Sequence, residues 1–134
     1  MSVLVDTSVW SLAFRRDASE AAPEAAVLRR LLEGRDLVVT TGLVLQELLQ
    51  GFAGARARAA IVSRFGALPF LSPSRGDHVA AADLRTTCRR AGVQLGTIDA
   101  LVAALCIRND LTLLTADGDF LHAAGVVPLR LFHA

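Results

Sequence analysis

The stretch VLVDTSVW, residues 3–10, decides the fold of this chain. Its first three residues are a continuous apolar run of β-branched and aliphatic side chains, which predicts a strand buried on both faces. A helix is predicted to follow directly, over residues 8–15. A buried strand that leads straight into a helix is typical of α/β proteins with a parallel sheet. Asp6 is therefore expected at the carboxyl end of the first strand.

The rest of the chain alternates short apolar runs with helical segments. Further strands are predicted over residues 37–40, 69–71, 111–115 and 129–132. Further helices are predicted over residues 23–33, 43–52, 56–65, 74–91, 98–108 and 117–124, with Gly34 and Gly92 ending two of them and Thr41 and Thr97 capping two. This pattern predicts an α/β fold, a three-layer α/β/α sandwich around a mostly parallel sheet of four to five strands. The whole chain, residues 1–134, is expected to form one domain.

Composition limits the classes of protein that this chain can belong to. Hydrophobic residues make up 53% of it and the mean hydropathy is +0.46, which excludes a disordered chain. So many apolar residues indicate either a large core or an apolar surface that a partner covers. The formal net charge is only +1, so any surface that binds nucleic acid must be a local patch.

The cysteines and the first residues bear on the cellular compartment. Cys88 and Cys106 are far apart in sequence and have no zinc-binding spacing, so two buried thiols in a reducing compartment are expected. The N-terminal residues have no basic region and include Asp6, which argues against a signal peptide. No apolar run approaches the roughly 20 residues that a membrane span needs. The sequence therefore predicts a cytoplasmic protein that does not enter membranes.

Two aspartates follow predicted strands and are candidates for a common site. Asp6 comes directly after the first strand, and Asp117 comes two residues after the strand at residues 111–115. If both strands are parallel and central, both carboxylates lie at the same edge of the sheet, where α/β proteins place their chemistry. The alternative is structural: Asp6 would cap the next helix, and Asp117 would be a turn residue.

Asp99 lies in the first turn of the predicted helix TIDALVAALCI, which is apolar on every side and so expected to be buried. A buried carboxylate needs a partner, because an unpaired buried charge is costly. The partner is either the amino terminus of the helix or a bound cation. The cation is the reading that points to function.

Two further acids are weaker candidates on pattern alone. Glu47 lies opposite the apolar face of its helix, beside Gln46 and Gln50, where most glutamates are simply solvated. A cleft over that face would be needed to make Glu47 a ligand. Asp119 follows Asp117 by two residues and is a candidate helix cap, turn residue or outer metal ligand.

Four segments together resemble the motifs of VapC-type PIN-domain toxin ribonucleases. In chain order they are VDTSVW (residues 5–10), LQEL (45–48), GTIDALVAA (96–104) and LTADGDF (114–120). The motifs occur in the order that the family shows and span nearly the whole chain. The resemblance implies a PIN-like form of the predicted sandwich.

The resemblance also implies a reaction and a set of catalytic residues. It identifies Asp6, Glu47, Asp99 and Asp117 as an acidic quartet around Mg²⁺ or Mn²⁺, with Asp119 as an auxiliary metal ligand. Hard divalent cations prefer such oxygen ligands, and they activate water for attack on a phosphodiester. The implied function is a divalent-metal-dependent endoribonuclease, the toxin of a type II, VapBC-like toxin–antitoxin pair. Thr7 and Thr115 are nearby hydroxyls that equally well cap turns.

The resemblance further implies three kinds of partner. These are an RNA substrate, tRNA or rRNA, a cognate VapB-type antitoxin, and a second copy of the chain in a homodimer. Side chains of the first helix are candidates for an antitoxin groove or for the core, with the core favoured for the aliphatic ones and Trp10 the best candidate for partial exposure: Val9, Trp10, Leu12 and Phe14. Candidate arginines for RNA phosphates, each equally a solvated surface charge, are Arg15, Arg16, Arg75, Arg85, Arg89 and Arg90.

Rival functions are weakened by missing residues. A haloacid-dehalogenase-like phosphatase needs a second aspartate two residues after the first, where this chain has Ser8. That class and the receiver domains also rely on a lysine, and all 14 basic residues here are arginine. No GK[ST] loop, GxGxxG or GxSxG motif occurs. The alternative that stays open is a catalytically silent PIN-like module that binds or regulates.

Overall fold

The structure, a computed structural model, describes residues 1–15 and 22–133. The elements in these residues are β1 Ser2–Val5, α1 Thr7–Phe14, α2 Pro23–Glu33, β2 Leu37–Val39, α3 Gly42–Gly51, α4 Ala55–Gly66, α5 Arg75–Arg90, α6 Thr97–Arg108, β3 Thr112–Leu114 and α7 Gly118–Ala124. The predicted alternation of strands and helices is confirmed. Among the described residues, no helix has the length and apolar character that crossing a membrane requires.

The strands form a parallel sheet in the order β2-β1-β3. The central strand β1 pairs with both neighbours, so that Leu4 lies opposite Val39 on one side and Leu113 on the other. Val3 and Val5, like Leu4, are completely buried, as the apolar run predicted. The predicted α/β class with a parallel central sheet is thus confirmed, and the strands all end at one edge.

The predicted number of strands was too high, because the described residues contain three. The segments predicted as strands over residues 69–71 and 129–132 form only single parallel bridges, Thr40 with Phe70 and Leu113 with Leu131. Proline has no backbone N–H to donate to a ladder, and Pro69 and Pro128 begin or precede these segments. Each segment therefore flanks an edge of the sheet without extending it as a full strand.

Helix ends agree with the sequence better at glycines than at threonines. Gly34 ends α2 as predicted. Gly92 has φ +81° and lies two residues after the last residue of α5, where Val93 N donates to Cys88 O at 2.8 Å. This left-handed position after a helix is one that glycine adopts without steric cost. Thr41 occupies the N-cap position of α3 as predicted, but its side chain makes no capping bond. The Thr97 cap was wrong, because Gly96 is the N-cap of α6 and Thr97 is its first residue.

The first helix contributes to the core, the alternative favoured from its sequence. Trp10, the best candidate for partial exposure, is only 1% exposed and belongs to the core as well. Its ring centroid lies 4.8 Å from that of Phe65 in α4 and 6.3 Å from that of Phe14. Val9 is also buried, whereas Leu12 and Phe14 are half-buried. Trp10 therefore fixes α1 against α4, and only the carboxyl-terminal end of α1 lies near the surface.

The other helical layer is the pair α5 and α6, which pack on each other. Cys88 in α5 and Cys106 in α6 are buried free thiols, as predicted. Burial raises the pKa of both, that of Cys106 to about 12, so neither is a reactive thiolate at neutral pH.

A buried aspartate joins the start of α5 to the end of α6. Asp77 is 6% exposed and closes a capping box with Ser74, whose backbone N donates to Asp77 Oδ2 at 2.7 Å. Arg108 Nε donates to the other carboxylate oxygen, Oδ1, at 2.8 Å. The Ser74 backbone bond, opposed by burial and assisted by the Ser74 side chain and Arg108, lowers the pKa of Asp77.

We expect Asp77→Asn to destabilise the protein by roughly 1–3 kcal/mol at pH 7, because it weakens a cap and leaves Arg108 without its ion pair. A depressed carboxyl pKa stabilises the fold above the unfolded-state pKa, and this contribution is lost as pH falls through the lower folded-state value. The difference between the variant and the wild type should therefore shrink below about pH 4. Urea unfolding at pH 7 and at pH 2 measures this difference in stability, with Asp83→Asn on the same helix as control. A full difference persisting at pH 2 would contradict this account.

Candidate active site

The parallel sheet brings the ends of its strands to one edge, and the acidic motifs lie there. Asp6 follows β1, and Thr115 and Asp117 follow β3. The helix α3, which carries Glu47, begins three residues after β2 ends. The conditional expectation that Asp6 and Asp117 share one edge therefore holds, since β1 and β3 are parallel neighbours.

Asp6 is the buried member of the group. Its side chain is 5% exposed and makes no capping bond to α1, so the alternative that it merely caps this helix is not supported. Its Oδ2 instead accepts hydrogen bonds from Ser8 Oγ at 2.7 Å and from Thr115 Oγ1 at 3.0 Å. The Thr115 bond links two motifs that are 109 residues apart and fixes the direction of the carboxylate.

Glu47 is drawn in from α3. Its Oε1 accepts a hydrogen bond from Thr7 Oγ1 at 2.9 Å, and the residue is half-buried. Glu47 therefore does not simply face solvent, as its pattern alone suggested, although Gln46 and Gln50 beside it are exposed. It is engaged because α3 packs on α1, which brings Thr7 to it.

The two aspartates of the last motif differ in position. Asp117 is half-buried, and its Oδ1 accepts a bond from the Asp119 backbone N at 2.9 Å. Asp117 thus caps α7, a structural role, although the structural alternative in the sequence was a turn residue. Its backbone N is held in turn by Thr115 Oγ1 at 3.0 Å. Asp119 is exposed and lies at the rim of the group.

Asp99 shows that these acids lie close together. Burial, which has the largest effect, and four negatively charged neighbours together raise the pKa of Asp99 to about 6; in decreasing order of effect these neighbours are Asp6, Asp117, Glu47 and Asp119. No hydrogen bond from the start of α6 contributes to this pKa, so the helix amino terminus does not satisfy the carboxylate. The structure therefore brings the other four sequence-predicted acids within electrostatic reach of Asp99.

Oxygen donors dominate this group, and that chemistry suits a hard divalent cation. None of the ion pairs among the described residues involves Asp6, Glu47, Asp99 or Asp117, so positive charge is not supplied from within this part of the chain. The same residues include no set of three or more histidine, cysteine, aspartate or glutamate side chains already arranged to hold a metal ion. The donor chemistry fits a cation, whereas the side chains as they stand are directed to hydroxyl and amide donors.

Ser8 is a functional residue that sequence reasoning missed. Besides donating to Asp6, its Oγ accepts a bond from Ala116 N at 3.0 Å and lies 3.4 Å from Thr115 Oγ1. The Ser8 side chain thereby links the first motif to the backbone of the last motif. The available signal was that two hydroxyl residues, Thr7 and Ser8, directly follow Asp6 at the end of the strand. Position 8 was considered only because it lacks a second aspartate.

The candidate arginines are less well supported. Arg85 Nε donates to Leu95 O at 2.8 Å and is thus engaged within the fold. Arg15, Arg75, Arg89 and Arg90 are exposed, and Arg16 lies outside the described residues. Their exposure is equally consistent with ordinary surface charges.

Because the Asp99 pKa is raised on folding, its ionisation destabilises the metal-free protein. The protonated Asp99 carboxyl makes its full contribution to the free energy of unfolding below about pH 4, and this contribution is lost as pH rises through about 6. We therefore expect Asp99→Asn, in chelator, to be more stable than the wild type at pH 7.5, by at most about 3 kcal/mol before solvent screening is allowed for. Thermal unfolding at pH 4 and pH 7.5 measures the effect, with Asp83→Asn as control. A variant less stable than the wild type at both pH values would count against a repulsive acidic cluster.

Comparison with known proteins adds family and fold. A family model described as "PIN domain" matches residues 3–126. Among curated proteins, a VapC ribonuclease of Mycobacterium bovis is 33% identical over 120 residues, covering 88% of each chain. Ribonuclease VapC11 of Mycobacterium tuberculosis matches to the same extent.

Solved structures share the fold at low sequence identity. VapBC2 of Rickettsia felis, crystallised with a fragment of promoter DNA, superposes with a TM-score of 0.77 at 20% identity, covering 98% of each chain. VapC20 of Mycobacterium tuberculosis, described as a toxin that cleaves the sarcin-ricin loop, has a TM-score of 0.70 at 23% identity and covers 96% of this chain and 98% of its own. Agreement over nearly the full length supports the three-layer architecture.

Proposed function

The chain belongs to the PIN domain family, and from this premise we propose that it is an endoribonuclease, the toxin of a VapBC-like toxin–antitoxin pair. The observation that carries the proposal is the gathering, around Asp99 of the third motif, of acids from the three other motifs, each of which raises the pKa of Asp99. An isolated helix cap would have no reason to collect four more carboxylates. Such a cluster is costly to the fold, which is typical of a site kept for chemistry.

The proposed cofactor is Mg²⁺ or Mn²⁺, held by Asp6, Glu47, Asp99 and Asp117, with Asp119 as an outer ligand. A bound divalent cation would neutralise these carboxylates and the charge that develops on the phosphate, and it would make water a stronger nucleophile. The chain's own hydroxyls have a positioning role. Ser8 and Thr115 direct the Asp6 carboxylate, and Thr7 directs that of Glu47.

The reaction that this arrangement serves is hydrolysis of an RNA phosphodiester, leaving a 5′-phosphate and a 3′-hydroxyl. The acidic edge of the sheet repels an RNA phosphate unless positive charge is present. Substrate must therefore arrive with neutralising cations, or contact basic groups outside the acidic cluster. With a formal net charge of only +1, the protein has no broad basic field to capture RNA indiscriminately. Selection among tRNA and rRNA targets would then depend on local contacts.

A VapB-type antitoxin is the proposed protein partner, and a homodimer the proposed assembly. An apolar cavity of about 290 Å³ lies between α1, α2 and α4 and suits a docking segment of such a partner. Its walls include the apolar side chains of Trp10, Phe14 and Leu28, together with Arg29 and Arg64. The first helix thus serves the core through Trp10 and the cavity through its carboxyl-terminal end.

Sequencing of RNA ends after induced expression tests the proposed function. Discrete new 5′-phosphate ends should appear with the wild type and disappear when a short open reading frame from immediately upstream is co-expressed. The purified protein should generate the same ends in vitro. Purified wild-type protein that cleaves no RNA with Mg²⁺ or Mn²⁺ would leave the silent binding module as the better reading.

A further inference from the structure

A cavity of about 240 Å³ opens beside the acidic site, along the outer edge of β3. Thr115 and Asp117 form part of its wall, and Phe132 and His133 of the C-terminal segment form another part. A neighbouring cavity of about 310 Å³ shares Glu24, Thr115, Phe132 and His133 with it. The two cavities therefore make one groove, here called the β3-edge groove, that leaves the acidic site directly.

Phe132 is held at this groove by the backbone. Its N donates to Leu113 O at 2.8 Å, and Leu113 N donates to Arg130 O at 2.9 Å. The C-terminal segment is thus bridged to β3 on both sides of Leu131. Phe132 is half-buried, so one part of the side chain packs on the core and the rest faces the groove. An aromatic ring fixed in this way loses little conformational freedom when a ligand binds.

The charges and size of the groove select among possible occupants. Glu24 and Asp117 place carboxylates in its wall, which disfavours a phosphate group. His133 is the one basic side chain among the described residues that line the two cavities. Leu121, which is 61% exposed, and Phe132 add apolar surface. The first cavity alone, at about 240 Å³, is smaller than the roughly 300–1,000 Å³ of drug-sized ligand pockets and suits a single flat, uncharged ring, whereas the groove as a whole extends beyond one ring.

We propose that the β3-edge groove binds one unstacked nucleobase of a single-stranded RNA, next to the phosphate that the acidic site attacks, with Phe132 as its stacking platform. This inference rests on the proposed ribonuclease function and adds where the substrate is gripped. Single-stranded RNA is recognised largely by splayed bases that stack on aromatic side chains. Continuity with Thr115 and Asp117 places such a base within a nucleotide's reach of the acids.

Substitution of Phe132 tests the proposal through a split between KM and kcat. Loss of a base–aromatic stack weakens binding roughly 5- to 150-fold, so Phe132→Leu, which keeps apolar bulk, should raise the KM for a short single-stranded RNA by about 10-fold. Its kcat should stay within about threefold of the wild type, since chemistry uses other residues. Phe132→Tyr keeps an aromatic ring, so its KM should match that of the wild type. Val79→Ala on α5, another truncation of an exposed apolar side chain, should leave KM unchanged.

A binding measurement without cleavage gives an independent readout. In the Asp6→Asn background, fluorescence anisotropy of a labelled RNA of the same sequence should show the loss with Phe132→Leu and the recovery with Phe132→Tyr. Melting curves of each variant ensure that the comparison is made on folded protein.

The outcomes separate this inference from the proposed function. Wild-type protein that cleaves no RNA would defeat the function itself. Cleavage by Phe132→Leu with an unchanged KM would leave the function standing and overturn the base site. If Phe132→Leu weakens binding of a co-expressed antitoxin and leaves the KM for RNA unchanged, the groove serves the antitoxin and the proposal is equally overturned.

Discussion

Purified Asp6→Asn and Asp99→Asn proteins are expected to cleave RNA at least about 100-fold more slowly than the wild type, and to lose toxicity on expression. Mutating even an outer-shell partner of a metal ligand typically costs 10- to 100-fold in activity or metal affinity, so loss of a direct ligand should cost at least that much. Each change keeps the size of the side chain and removes one negative charge. Initial rates on a labelled RNA, with circular dichroism to verify the fold, measure the effect.

Two matched aspartates make this prediction sharper. Asp119→Asn should reduce the rate by less than about 10-fold, because Asp119 is exposed and contributes least of the four acids that raise the Asp99 pKa. Asp83→Asn on α5 removes an exposed charge away from the cluster and should leave the rate unchanged. Wild-type rates in folded Asp6→Asn or Asp99→Asn protein would rule out the assigned roles of those residues.

The second large effect concerns the cation. Chelation should lower RNA cleavage at least about 100-fold, and Mn²⁺ or Mg²⁺ should restore it, because the clustered carboxylates repel one another and a phosphate unless a cation lies among them. Cation binding should also stabilise the fold. At a concentration 100 times the Kd, the gain is about 2.7 kcal/mol, or roughly 10 °C in Tm for a chain of this size.

The cation titration also separates the enzyme from a silent module. Asp99→Asn should show a much smaller Tm increase than the wild type, whereas Asp83→Asn should match it. Differential scanning fluorimetry across Mn²⁺ concentrations gives both curves. No increase for the wild type, together with cleavage that is indifferent to chelator, would remove the metal from the proposal.

Much of the fold could be predicted because burial leaves a direct trace in sequence. The uninterrupted apolar run at residues 3–5 marked the central strand, and Gly34 and Gly92 marked two helix ends. The edge segments were overpredicted, since an apolar run looks alike whether it pairs over its length or bridges once. The burial of Trp10 stayed open for a related reason: it depends on Phe65, which comes 55 residues later and which no local pattern connects to it.

The candidate site divides in the same way. Asp99 stood out locally, because a carboxylate in a helix that is apolar all round is anomalous wherever that helix lies. Glu47 did not, because its position on α3 matches that of any solvated glutamate, and only the bond from Thr7 in α1 distinguishes it. Ser8 was passed over because a hydroxyl beside a strand end has many uses.

By itself, the sequence determined the parallel α/β class and the buried strand ahead of Asp6, because these depend on the periodicity and polarity of neighbouring residues, and the resemblance of its motifs supplied the set of acids. Tertiary structure alone decided that the acids meet, that hydroxyls of Thr7 and Thr115 orient two of them, and that Phe132 lies beside them. The physical reason is that the energies of these contacts depend on distances between side chains 40 to 109 residues apart, which only the assembled sheet fixes.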